Sequence, residues 1–208
     1  MRTSLRTFLA VLVLAVVSAG CFDVDDGFPS INGCKIKANT QCEDKDLSGE
    51  DLTQAQLLNG QMSGIDLSDA NLTQAQLLNA NFTGANLSGA DLTQASIQNT
   101  VFDEADLRGA TLTQVASNNT RFRDADLRGN DLSNIEFLNA DFRDAQLASA
   151  DLSGVSLQNA DLTGADLTGA DLSDADLLNA DFTGAKLAGA NLDGANTQNT
   201  IGLQAVTG

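Results

Sequence analysis

Large apolar residues recur every five positions from Leu47 to Leu192 without a single insertion. Of these 30 positions 21 are Leu, six Phe, one Met and one Ile, and Ser117 alone is polar. Two residues before each stands a small side chain, mostly Ala, as at Ala70, Ala75, Ala80 and Ala85. Asp or Asn usually comes directly before it, and Ser or Thr then Gly or Asn often follow. A period of five suits neither regular element. On a helix of 3.6 residues per turn the apolar positions would wander round the axis, and on a strand of period two they would alternate faces. A fixed repeat of this kind predicts a solenoid.

A longer period sets the coil. Asn stands at 59, 79, 99, 119, 139, 159, 179 and 199, and Leu at every twentieth position from Leu52 to Leu192. The series beginning at Met62 reads Met, Phe, Phe, Phe, Phe, Leu, Phe. Twenty residues are four five-residue units, so each coil has four sides and like positions stack. The Asn column reads either as a ladder of side-chain amides or as residues that tolerate a corner backbone.

Segments such as Ala165-Asp166-Leu167-Thr168-Gly169 and Ala180-Asp181-Phe182-Thr183-Gly184 resemble the pentapeptide-repeat family, whose motif is Ala-(Asp/Asn)-Leu-x-x. The resemblance spans residues 46–197 and implies an all-β fold, a right-handed quadrilateral β-helix of about seven to eight coils. It also implies that the central Leu or Phe and the small residue two before it point inward. Packing logic agrees: one large and one small side chain fill each short side, and a bulkier residue in the small slot overfills the coil. At a rung spacing of about 4.8 Å such a rod is about 36 Å long.

The N-terminal stretch has a different character. Arg2 and Arg6 precede ten unbroken apolar residues, Phe8 to Val17, followed by Ser18, Ala19, Gly20 and Cys21. Ten apolar residues are too few to cross a hydrocarbon core, which needs about 20, so residues 1–20 read as a signal peptide. The Ala-Gly-Cys ending resembles a bacterial lipoprotein signal, in which Cys21 is lipidated; cleavage after Val17-Ser18-Ala19 to a soluble product is the alternative. Cysteine arithmetic favours the lipid. Three cysteines leave one unpaired, and acylation of Cys21 leaves Cys34 and Cys42 to form a disulfide. Residues 21–33 read as a lipid-anchored flexible tether, 34–45 as a disulfide-closed N-terminal cap, 46–197 as the repeat body and 198–208 as a C-terminal cap or tail. In that tail Ile201, Leu203 and Val206 are expected to fold over the last coil, unless the end pairs with a second molecule. The oligomeric expectation is therefore a monomer or an end-to-end dimer.

Charge narrows the function. The chain carries 28 Asp and Glu against 11 Lys and Arg, a net charge of −17, and loss of the signal deepens it. That balance opposes nucleic-acid binding, which needs a basic footprint. With no His, Trp or Tyr, imidazole chemistry and His-ligated metal sites are excluded. The Asp residues recur because the repeat recurs, so no catalytic constellation stands out, and no cofactor or metal is expected. Columns such as Asp131, Asp151, Asp171 and Asp141, Asp161, Asp181 place carboxylates about 5 Å apart; a solvated acidic face is the expectation, cation recruitment the alternative.

One stretch departs from monotony. Arg108, Arg121, Arg123, Arg128 and Arg143 cluster in the middle of the rod, beside Ser117 and the polar small-slot residues Thr100, Thr120 and Asn130. These arginines form either a contact patch or ion pairs with Asp two residues away, as in Asp106–Arg108, Asp126–Arg128 and Asp141–Arg143. Ser117 predicts an underpacked layer. The functional expectation is a non-enzymatic, lipid-anchored protein of the bacterial cell envelope, facing the periplasm or the cell surface. It is held to the membrane by its N-terminal lipid and acts on an unknown protein partner as a rigid acidic interaction or structural module. The alternative implied by the family resemblance is a DNA-mimicking, topoisomerase-binding protein of the quinolone-protection type.

Overall fold

The apolar residues at five-residue spacing all turn inward. In the computed structural model, which describes residues 27–203, the inward column runs from Cys42 and Leu47 to Leu187 with each large side chain buried. Main-chain rungs join residues twenty apart, in parallel, from Gln41 with Gln61 to Asp181 with Ile201. The column from Gln41 to Ile201 therefore spans eight coils. Within a rung the bonds run both ways: Leu52 N–H donates to Asn71 O (2.8 Å) and Asn71 N–H to Glu50 O (2.9 Å).

Each side is one residue of strand joined to the next by a turn, and the five-residue motif explains both. Ala55 N–H donates to Leu52 O (2.9 Å), and Gln54 between them has φ 59°, the pattern of a type II turn. Every fifth residue after it has positive φ, Gly at some corners and Asn, Asp, Gln, Glu or Ser at others. The Asp or Asn before the inward residue caps that turn: Asp51 Oδ1 accepts from Thr53 N–H (3.0 Å) and from its hydroxyl (2.6 Å). Both explanations of the Asn column hold together. Asn59 has φ 55°, and its side-chain amide donates to Asn39 Oδ1 (3.2 Å) and accepts from Asn79 (3.0 Å). A parallel ladder of Gln54, Gln74, Gln94 and Gln114 climbs another corner at 2.8–2.9 Å.

Inside, rings stack where Phe recurs at twenty. Phe82, Phe102, Phe122 and Phe142 lie face to face with centroids 5.3, 5.4 and 4.9 Å apart. Phe137 meets Phe122 and Phe142 edge-on at 5.7 and 5.2 Å. Each such side chain contributes about 1.5–3 kcal/mol by leaving water. Polar residues in the small slot are satisfied by the coil below: Thr100 and Thr120 donate to Leu77 O (2.8 Å) and Ile97 O (2.9 Å).

Both ends differ from expectation. Residues 30–31 are not tether. Ser30–Ile31 (β1) pairs antiparallel with Cys34–Lys35 (β2), and both β1 residues are buried. The two-residue loop between them is Asn32-Gly33, with φ 50° and 78°, the pair that a tight hairpin favours. The coil also begins before residue 46. Thr40 is buried in the small slot, Cys42 in the large one, and Gln61 N–H donates to Thr40 O (2.8 Å). At the C-terminal end Ile201 continues an outward rung column and is 57% exposed instead of folding inward. Leu192 and Leu203 are half-buried against the core, and Thr197, where the pattern elsewhere has Leu, is exposed. Val206, the signal peptide and Cys21 lie outside the described residues. No described helix is long and apolar enough to cross a membrane.

Candidate interaction surface

The five arginines do not form one patch. They belong to two ion networks on neighbouring sides of the coil. On one side Arg108 bonds Asp106 through Nε (2.9 Å) and approaches Asp126 (3.5 Å), while Arg128 bonds Asp126 (2.8 Å). On the next, Arg121 bonds Asp103, Arg123 bonds Asp141 (2.6 Å), and Arg143 bonds Asp141 (2.9 Å) and approaches Asp161 (3.4 Å). The pairs two residues apart are those legible in the chain. The cross-coil pairs Arg108–Asp126, Arg121–Asp103, Arg123–Asp141 and Arg143–Asp161 lie eighteen residues apart, two short of one coil, and follow only from the stacked register.

These contacts favour the ionised form of the carboxylates. The Arg108 guanidinium holds the Asp106 carboxyl below its ordinary range, and Arg128 does the same for Asp126. At Asp141 burial pushes upward, but hydrogen bonds from Arg143 and Arg123 outweigh it and leave the group lowered. The arginines are 39–54% exposed at their side chains, and exposed pairs contribute only about 0–1 kcal/mol each. The networks therefore neutralise two sides of the rod more than they stabilise it.

The side opposite Asp141 keeps its charge. Asp131, Asp151 and Asp171 stand in one column, and each accepts the amide two residues on: Ser133 (3.0 Å), Ser153 (2.9 Å) and Ser173 (2.9 Å). Asp171 also accepts from Asn191 (3.0 Å). Among the described residues no Lys or Arg forms an ion pair with any of the three. Hydrogen bonds from Ser133 hold Asp131 below the ordinary carboxylate range, and those from Ser173 do so for Asp171. Among the described residues no cluster of three or more acidic or Cys side chains is arranged to hold a metal ion.

At the N-terminal end Cys34 and Cys42 are joined, with S–S 2.02 Å and Cα atoms 5.1 Å apart. The bond ties the hairpin to the first inward position, and Thr40 Oγ1 reinforces it by donating to Lys35 O (2.6 Å).

A family model described as pentapeptide repeats matches residues 39–74, 75–114, 120–159 and 160–196. The chain belongs to the pentapeptide-repeat family. The coil seen above is accordingly a right-handed β-helix. HetL, a pentapeptide-repeat protein involved in heterocyst differentiation regulation from the cyanobacterium Nostoc, is 27% identical over 80% of this chain and 89% of its own, with TM-score 0.43. A trypsin-treated variant of QnrB1, a plasmid-mediated fluoroquinolone resistance protein, is 22% identical over 76% of this chain and 80% of its own, with TM-score 0.49. No curated protein is similar enough to match.

Proposed function

We propose that this pentapeptide-repeat protein is a non-enzymatic module of the bacterial envelope, lipid-anchored through Cys21, whose rod offers an acidic side to a protein partner. The observation that carries the reading is the asymmetry of charge round the coil. Arginines neutralise the carboxylates of two adjacent sides, whereas the Asp131, Asp151 and Asp171 column has no ion-pair partner among the described residues. A flat column of ionised carboxylates attracts a basic surface and repels an acidic one, which favours selectivity and rapid encounter over raw affinity. The Arg2–Arg6 charge, apolar run and Cys21 support export and acylation.

Two measurements test it. Growth with a clickable palmitate analogue labels the wild-type protein in the membrane fraction, and Cys21→Ser abolishes the label. An unlabelled, soluble wild-type protein overturns the anchor. Proximity labelling in the native envelope then compares wild type with a variant carrying Asp131→Asn, Asp151→Asn and Asp171→Asn. Loss of the main neighbours with an unchanged melting temperature supports the acidic side, and an identical set of neighbours rejects it. Recovery of a topoisomerase from the cytoplasm as the main neighbour favours the DNA-mimic reading instead.

A further inference from the structure

Neighbouring coils are joined by four rungs, one per side, and one interface in the middle of the rod breaks this rule. Between the coil of residues 101–120 and that of 121–140, Val101 pairs with Arg121 and Asp106 with Asp126. Among the described residues the next two rungs, Thr111 with Asp131 and Ala116 with Glu136, are not made. One coil below, Leu92 N–H donates to Thr111 O (2.8 Å) and Gln94 N–H to Thr113 O (2.9 Å); Leu112 and Gln114 make no such bonds to Asp131 and Ser133. One coil above, Asp151 N–H donates to Asn130 O (2.9 Å) and Ser156 N–H to Ile135 O (2.9 Å); Asp131 and Glu136 have no counterpart. The ladder resumes at Asn119 N–H to Leu138 O (2.9 Å).

The cause is the side chain in the small slot. Asn130 is buried there, its Oδ1 accepting from Gly109 N–H (2.8 Å) and its Nδ2 donating to Leu107 O (2.8 Å). In an intact corner that glycine amide goes to the main chain, as Gly89 N–H does to Arg108 O (3.0 Å). Thr100 and Thr120 reach the matching carbonyls with a single hydroxyl, and the rungs beside them survive: Val101 N–H to Ala80 O (2.9 Å) and Arg121 N–H to Thr100 O (3.0 Å). The longer, two-ended amide replaces a main-chain bond and wedges the coils apart. A bulky aliphatic residue in that slot is not enough to open a seam: Ile65 and Val155 are buried in small slots whose rungs are intact, as in Asn86 N–H to Ile65 O (2.9 Å) and Asp176 N–H to Val155 O (2.8 Å). At the far corner Ser117 Oγ spans to Glu136 O (2.7 Å), doing with a side chain what an amide does elsewhere.

The opening is a cleft of about 300 Å³ between Gln114, Ser117 and Asn118 on one lip and Asn134, Ile135 and Glu136 on the other. Thr111 and Ala116, which lack rungs to the coil above, are exposed, whereas Asp91 and Ser96 one coil below are half-buried. The repeat pattern itself lapses at the same place: the family match is interrupted at residues 115–119.

We infer that Asn130 holds a water-filled seam across two of the four sides, so that the rod is two stiff stacks, residues 39–120 and 121–201, hinged along the two sides that remain paired. A hinge concentrates its motion in a few residues, and here they are those at the seam whose main-chain bonds are missing. Asp131 is joined to Asp151 above but has no rung to Thr111 below, so flexing tilts the whole Asp131–Asp171 column relative to the lower stack. The inference stands on the ladder and the wedge, whatever the acidic side binds.

Residue-resolved hydrogen exchange on the full chain tests it. The amides of Leu112, Gln114, Asp131 and Glu136 exchange about a hundredfold or more faster than those of Leu92, Gln94, Asp151 and Ser156, because they open without breaking a ladder. Asn130→Ala slows them by about tenfold or more, and Thr120→Ala, whose rung is intact, leaves them unchanged. Spin labels on Thr93→Cys with Ser153→Cys, across the seam, give a broader distance distribution than Thr53→Cys with Thr113→Cys, three coils apart within one stack. Equal protection on both sets of amides, an unchanged seam in Asn130→Ala, or equal distance widths would each overturn the inference.

Discussion

Truncating Phe122 to Ala removes the centre of the aromatic stack. Its ring is fully buried, faces Phe102 and Phe142 at 5.4 and 4.9 Å, and meets the edge of Phe137 at 5.7 Å. A buried Phe→Ala change costs about 3–5 kcal/mol through lost transfer energy and the cavity left behind. Three ring pairs add about 0.5–1.5 kcal/mol each beyond area. The side that carries Phe122 cannot collapse on the hole, because Arg121 beside it is held by rungs to Val101 below and Asp141 above, so a cost of about 5 kcal/mol or more is expected. Phe182→Ala provides the control. That ring is equally buried but has no stacking partner among the described residues, and its loss is expected to cost about 3 kcal/mol. Urea unfolding followed by far-UV circular dichroism, with slopes compared to confirm one transition, gives both values. Hydrogen exchange then places the Phe122→Ala damage in the coils from 101 to 160, since a repeat touches only its neighbours. A Phe122→Ala cost no larger than that of Phe182→Ala would refute the claim that vertical stacking organises the core.

Other outcomes follow from the same geometry. Ser117→Leu fills the space beside the cleft at the expense of one hydrogen bond to Glu136 O, for a net gain of about 1 kcal/mol; an unchanged or lowered melting temperature would count against the underpacking. Reduction of Cys34–Cys42, which closes a loop of sequence separation 8, destabilises the cap by about 2–3 kcal/mol. The effect is read as faster exchange at Asn39 and Cys42 with little change at Phe122, and uniform loss of protection would contradict it. The carboxyls of Asp106 and Asp126 are held below the usual range by Arg108 and Arg128. Their stabilisation is therefore present above the unfolded pKa of about 3.9 and lost as pH falls through the folded value. The melting temperature should be flat from pH 7 to 5 and fall below about pH 4, less steeply when both arginines are replaced by Met.

The candidate surface was legible only in part. The pairs Asp106–Arg108, Asp126–Arg128 and Asp141–Arg143 follow from side chains two residues apart on one strand pointing the same way. Arg121 and Arg123 lack an Asp two residues away and so read in the chain as members of a contact patch, yet both are engaged by carboxylates one coil away. The Asn32-Gly33 hairpin carried a readable turn signal, which the tether reading of residues 21–33 passed over. Ile201 falls in register with the outward rung column, so the same five-residue count that placed Leu192 inward also placed Ile201 outward.

Periodicity alone settled the number of sides and the vertical register, and the family resemblance implied the inward positions. A coil with room for one large and one small side chain per side leaves five-residue spacing a single consistent solution. The tertiary structure decided what happens where that solution is strained. Whether Thr or Asn in a small slot is absorbed or forces the coils apart depends on which main-chain groups its polar atoms reach. Those groups lie 21 and 23 residues back along the chain and come within hydrogen-bonding distance only when the coils are stacked.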